Sequence, residues 1–219
     1  MLTRRIALAA SFALTAVLWS GLVIAQEAID EPVILVATPA LRDRLFSATV
    51  LIVAPIGRGQ HIGFIVNHPT PVKLSEMFPD HAPSKKVTEP IFLGGPENRG
   101  ALFALVQRPG RANTGRIALA ADLYLEIERD KVDGVIENEY SKARFFAGVV
   151  VWRPGELAAE IKNNYWYVQD ADADLVLRKS TNGMWEELVK RIERNKNAIT
   201  ADSRLFSLER PAPAVRLRE

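Results

Sequence analysis

Two β-branched, apolar runs, Ser47–Ala54 and His61–Asn67, flank the turn-forming stretch Pro55-Ile-Gly-Arg-Gly-Gln60. They read as a β-hairpin with a longer loop. A sheet containing such a hairpin is not purely parallel. Strand-like and helix-like segments follow in mixed order rather than strict alternation, which places the domain in the α+β class. The further strands expected are Val33–Val36, Ile91–Leu93, Ala101–Val106, Leu123–Ile127, Arg144–Trp152 and Tyr165–Gln169. Between Pro69 and Pro90 five prolines predict a loop with one short helix around Leu74–Phe78. Val132–Tyr140 reads as a weak helix, and Pro154 suits the first position of another, with Leu157 and Ile161 at helical spacing. Met184, Trp185, Leu188, Val189 and Ile192 form one apolar helix face. Ser180, Thr181 and Asn182 supply caps, and Glu186 with Lys190 and Glu187 with Arg191 form pairs four apart.

Residues 1–25 have a different character. Arg4 and Arg5 precede an apolar stretch from Ile6 to Ala25, which ends in Val23-Ile24-Ala25 before Gln26-Glu27. A charged start, an apolar middle and a small-residue exit are the parts of a secretory signal. The same stretch is long enough to serve as an N-terminal membrane anchor. The expected organisation is therefore a signal peptide or anchor at 1–25, a linker at 26–32, one domain at 33–197 and a disordered tail at 198–219. The expected location is periplasmic or anchored in the inner membrane, with a cytoplasmic location as the alternative. Membrane contact is expected only through residues 1–25, where these are not cleaved.

Charge and composition exclude several chemistries. Arg4 and Arg5 account for the net charge of +2, and the remainder is balanced. A neutral body lacks the electrostatic footprint of nucleic-acid binding. There is no cysteine, hence no disulfide and no thiolate chemistry. Gly57-Arg-Gly59-Gln-His-Ile62-Gly63 fails as a dinucleotide loop, because its third glycine is one place late and a strand follows. Asp170-Ala-Asp172-Ala-Asp174 fails as a calcium loop, with Leu175 where glycine is needed and Thr181 where a glutamate should close the shell. His61, His68 and His81 show no metal-binding spacing. No cofactor or metal is expected. Trp152, Trp166 and Trp185 read as core residues.

The stretch most suggestive of function is Gly94-Gly95-Pro96-Glu97-Asn98-Arg99-Gly100. Its glycines permit close approach to the backbone, and exposed N–H groups with Arg99 could hold an anion. A tight strand connection is the structural alternative.

Five segments in order resemble the AlgH/YqgE proteins of bacteria: Ile34–Val53, Gly63–Pro69, Phe92–Pro96, Trp152–Ile161 and Asn164–Leu177 followed by Trp185. The resemblance implies a mixed, largely antiparallel sheet with a small barrel-like portion and surrounding helices. It implies no established enzymatic activity, although family members are often labelled transcriptional regulators. Family members usually begin close to the first strand, and many carry a histidine where this chain has Leu105-Val106-Gln107. The reading that follows is a non-enzymatic binding or regulatory module, exported to or tethered at the cell envelope. Its partner is a protein or small ligand, and nucleic acid is not expected. The candidate binding surface is Asn67, His68, Pro69, Gly94, Gly95, Pro96, Glu97 and Arg99, joined by Met77 and Phe78. One alternative is a hydrolase-like enzyme in which Asn67, His68, Glu97 and Arg99 converge beside a pocket. Another is a cytoplasmic transcriptional regulator.

Overall fold

The computed structural model describes residues 29–109 and 117–208. The leader at 1–25 and the end of the tail, 209–219, lie outside the described residues. Among the described residues no helix is long and apolar enough to cross a membrane.

The strands are β1 (Val33–Ala37), β2 (Val50–Gly57), β3 (Gln60–Ile65), β4 (Pro69–Lys73), β5 (Pro90–Leu93), β6 (Glu97–Gln107), β7 (Ile117–Ala118), β8 (Leu123–Glu126), β9 (Ala143–Trp152) and β10 (Trp166–Asp170). The helices are α1 (Leu74–Met77), α2 (Arg129–Asn138), α3 (Glu156–Lys162), α4 (Ala173–Val176) and α5 (Met184–Leu208). The main sheet runs β10-β1-β2-β3-β9-β6-β8-β7, with β4 and β5 attached beside β9. Among the described residues every pairing is antiparallel except β5 with β9. The expected mixed, largely antiparallel α+β architecture is the one observed.

The hairpin closes more tightly than its sequence suggests. The strands continue through Pro55–Gln60, and Gly57 pairs with Gln60. Only Arg58 and Gly59 turn, both at positive φ (51° and 72°), as a two-residue turn between twisted strands requires. β4 was expected as loop because of Pro69 and Pro71. Among the described residues its only partner is β5, and an edge strand tolerates missing N–H donors. Pro154 precedes α3 rather than opening it, since Gly155 at φ 84° is the N-cap. Asp172 caps α4 by accepting from the Leu175 N–H at 3.1 Å, so one of the three aspartates ends a turn and starts a helix. α5 runs on to Leu208, into the segment that the sequence assigns to the tail. Glu187 makes its direct ion pair with Arg178 at 2.7 Å, and Arg191 adds a weaker attraction that also favours the carboxylate.

The centre of the fold is a crossing of main chains. Ala147 of β9 pairs with Leu93 of β5 on one edge and with Leu102 of β6 on the other. The chain between Leu93 and Leu102 therefore passes over β9, and it does so at Gly94-Gly95. A Cβ on Gly95 would lie 2.2 Å from the Val149 carbonyl carbon, and one on Gly148 would lie 2.4 Å from the Gly95 oxygen. No side chain larger than hydrogen fits between two backbones at that distance. Gly94 also completes the sheet: its N–H donates to Ala147 O and its carbonyl accepts from Ile65 N, both at 2.9 Å.

Around this crossing Phe64 packs against Phe103 and Phe146 at 5.4 Å each, and Phe92 against Phe146 at 5.8 Å. Arg144 of β9 is 1% exposed. Its guanidinium donates to Val176 O and Arg178 O, both at 2.6 Å, and lies 4.2 Å from the Phe92 ring centroid. Burial pulls its pKa down from the usual guanidinium value, and Glu89 at 3.6 Å opposes that shift.

Gly95→Ala should destabilise the domain by about 3 kcal/mol or more, in the range of overpacked sites. Gly134→Ala, in α2 with no atom near the added methyl, should stabilise it by about 0.5–1 kcal/mol. Denaturant midpoints of the two variants should move in opposite directions. Arg144→Met leaves the buried Val176 carbonyl and the partly buried Arg178 carbonyl unpaired and should cost about 3 kcal/mol, read in the same assay.

Candidate functional site

The polar residues singled out in the sequence separate into three places. Asn67 continues the sheet with its side chain beyond the end of β3. Its Oδ1 accepts from Val50 N and its Nδ2 donates to Ala48 O, both at 2.9 Å. This holds Ala48 in the left-handed region, at φ 56°. Both polar atoms of the Asn67 amide are thus committed to the main chain. His68 and Pro69 follow on the same turn, where the His68 carbonyl accepts from Leu93 N at 2.9 Å. With Ala48 and Thr181–Glu186 they line a shallow cleft of about 290 Å³ against the start of α5. Burial lowers the pKa of the half-buried His68 ring.

Gly94 and Gly95 are buried at the crossing over β9. The Gly94 N–H is used within the sheet, so this stretch is the tight strand connection. Glu97 and Arg99 lie on the exposed start of β6, on either side of Asn98 at φ 49°. Among the described residues no hydrogen bond or ion pair joins Asn67 or His68 to Glu97 or Arg99. Among those residues no group of three His, Asp or Glu is placed to hold a metal.

Met77 and Phe78 belong to a different and larger feature. They line a groove of about 450 Å³ with His81, Gly100–Leu102, Ile127, Arg129, Val132 and Asp133. Met77 is 42% exposed, Phe78 37% and Ile127 47%. Met77 ends α1, which is anchored by buried Leu74; Phe78 and Ile127 directly follow α1 and β8, and α2 packs on β6 through Val132, Val135 and Ile136. His81 Nδ1 is 2.7 Å from Ser84 Oγ, which fixes the ring at the rim. Three large apolar side chains thus converge on one concavity whose rim carries Arg129 and Asp133. Ile127, Arg129 and Asp133 could not be joined to Met77 from sequence, because the chain between them traverses β5, β6 and β8. The visible signal was an apolar pair, Met77-Phe78, inside a proline-rich stretch.

The AlgH-like family model matches residues 34–197. This chain belongs to the AlgH-like family. It is 28% identical over 175 residues to a UPF0301 protein of Streptomyces avermitilis, an alignment covering 77% of this chain and 89% of the other. A UPF0301 protein of Chlorobaculum tepidum is 29% identical over 160 residues, covering 72% and 83%. Among solved structures, a protein of Corynebacterium diphtheriae is similar at a TM-score of 0.61 with 25% identity, covering 73% of this chain and 85% of that one. The solution structure of AlgH from Pseudomonas aeruginosa is similar in fold at a TM-score of 0.60 with 21% identity, covering 83% and 94%. The AlgH-like family is one of unknown molecular role.

The lowered pKa of His68 has a consequence for stability. An imidazole whose folded pKa lies below its unfolded value binds fewer protons when folded, so stability falls as pH drops through the unfolded value near 6.5. The wild type should lose more stability between pH 7.5 and pH 5.5 than His68→Gln, compared by thermal melts at both pH values. Equal losses would refute it.

Proposed function

We propose that this AlgH-like chain is a non-enzymatic binding module of the cell envelope, delivered there by residues 1–25. Its contact surface is the groove of Met77, Phe78 and Ile127. The observation that carries this reading is the convergence of three exposed, large apolar side chains on one concavity. Contiguous apolar surface with a polar rim is typical of surfaces that bind partners. The groove suits an apolar side chain carried on a protein segment, with Arg129 and Asp133 available to polar groups on either side of it. Asn67 is a strut of the fold in this reading. The leader supports delivery to the envelope through its charged start, apolar middle and small-residue exit.

Two measurements test the reading. A photo-reactive residue at Phe78 or Ile127 should form a discrete adduct with one partner in cells, and the same residue at Val168 on β10 should not. Phe78→Ser combined with Ile127→Ser should abolish the adduct formed from a probe at Met77 without shifting the melting temperature by more than a few degrees. Equal labelling from all positions would remove the groove as the contact surface. Fractionation with mass measurement of the N-terminus should find the chain in the periplasm starting at Gln26, or in membranes with the leader intact. Full-length chain dissolved in the cytosol would overturn the envelope setting.

A further inference from the structure

The chain enters the domain at a fixed point. The Ile29 carbonyl accepts from His61 Nε2 at 2.8 Å, and His61 is 8% exposed. The Ile29 side chain packs partly buried against the cluster of Leu35, Leu51, Val53 and Trp152. Only Gln26, Glu27 and Ala28 separate this point from Ala25, the last residue of the apolar stretch. Fully extended, the four residue steps from Ala25 to Ile29 span about 14 Å. The head-group region on one side of a bilayer is about 5–8 Å deep. A leader held in the bilayer therefore keeps the His61 end of the domain within about 10 Å of the lipid head groups.

The surface at that end has the chemistry for such a position. Ile56, at the hairpin tip, is 41% exposed. Arg58 in the hairpin turn and Arg153 before α3 are both exposed. Neither guanidinium makes a hydrogen bond or ion pair among the described residues. Asp30, Glu31 and Glu156 are acidic neighbours in the same region, and the Glu156 carboxylate is engaged by Arg153 N at 2.8 Å. A cleft of about 330 Å³ at this end is lined by Ile29, Asp30, Pro55, Arg58 and Leu157 among others.

We propose that this end is a membrane-apposed face, on which Ile56 enters the head-group layer and Arg58 and Arg153 contact lipid phosphates. The inference rests on the envelope reading in its tethered form, and it extends membrane contact beyond residues 1–25. It also orients the molecule. β9 runs from Trp152, which pairs with His61, to Ala143, about 30 Å away at strand spacing. The far end of the domain is thereby directed away from the bilayer.

The chain has no cysteine, so a single introduced thiol reports one position. The full-length chain, as Ile56→Cys or as Glu137→Cys on α2, is labelled with bimane. It is then reconstituted into phosphatidylethanolamine–phosphatidylglycerol vesicles carrying a nitroxide head-group lipid. The label at position 56 should be quenched severalfold more than that at position 137. Adding Arg58→Glu and Arg153→Glu should lower the quenching at position 56 severalfold while the protein still floats with the vesicles, and unchanged quenching would remove the two arginines from the contact. Flotation with equal quenching at both positions would overturn the apposed face and leave the tether intact. Failure of the full-length chain to float would remove the tether and the apposed face together.

Discussion

Two main chains meet in this domain with no side chain between them, and the arrangement of the sheet follows from that contact. Gly94-Gly95 lies across Gly148-Val149 of β9 at distances that no Cβ could share. The crossing carries the chain from β5 on one edge of β9 to β6 on the other. It also inserts Gly94 between β3 and β9, where it bonds to both. β9 can therefore pair with β3 along its second half and β5 along its first, with β6 opposite. A residue with any side chain at Gly95 would separate these strands and open the aromatic cluster of Phe64, Phe92, Phe103 and Phe146 packed around them.

Buried polar groups tie the remaining segments to this centre. Arg144 reaches from β9 to the carbonyls of Val176 and Arg178, where the end of α4 offers acceptors with no helical partner. Glu160 of α3 accepts from the indole N–H groups of Trp152 and Trp166, at 3.0 and 2.7 Å. This fixes α3 across β9 and β10. Trp185 of α5 donates to Ala37 O at 2.7 Å. Each of these bonds satisfies a group whose burial would otherwise be costly. The bonds of Arg144 and Trp185 join elements far apart in sequence, and those of Glu160 lock α3 onto the strands that precede and follow it, so the helices are positioned by a few specific donors as well as by apolar contact.

The molecule presents two surfaces of different character. The groove of Met77, Phe78 and Ile127 is apolar and framed by α1, β6 and α2. The end that holds Ile29, Ile56 and Arg58 sits where the polypeptide arrives from its apolar leader. The glycine-rich segment, which looks in sequence like a ligand loop, serves the fold. The Gly94 N–H and the space beside Gly94 and Gly95 are taken up by the crossing. Asn67 was similarly recruited as a substitute for backbone.

Much of the fold was legible in the residues themselves. β-branched runs marked β1, β2, β3 and β9, because strand preference follows from side chains that suit a pleated, half-buried surface. The spacing of Met184, Leu188 and Ile192 marked α5 for a similar local reason. The AlgH-like identity was legible as the order of five short segments. Other features depended on neighbours distant in the chain. Pro69 and Pro71 lie in a strand because β5 supplies the partner on one side and no described strand pairs with the other. Glu187 gains Arg178 as its hydrogen-bonded partner because α5 packs beside the segment after α4. The groove joins Met77 to Ile127 because β6 and β8 bring their ends together. Short-range pattern sets which residues form elements. Which side chains share a surface is set by pairing and crossing, and those are decided by contacts between segments that local sequence does not encode.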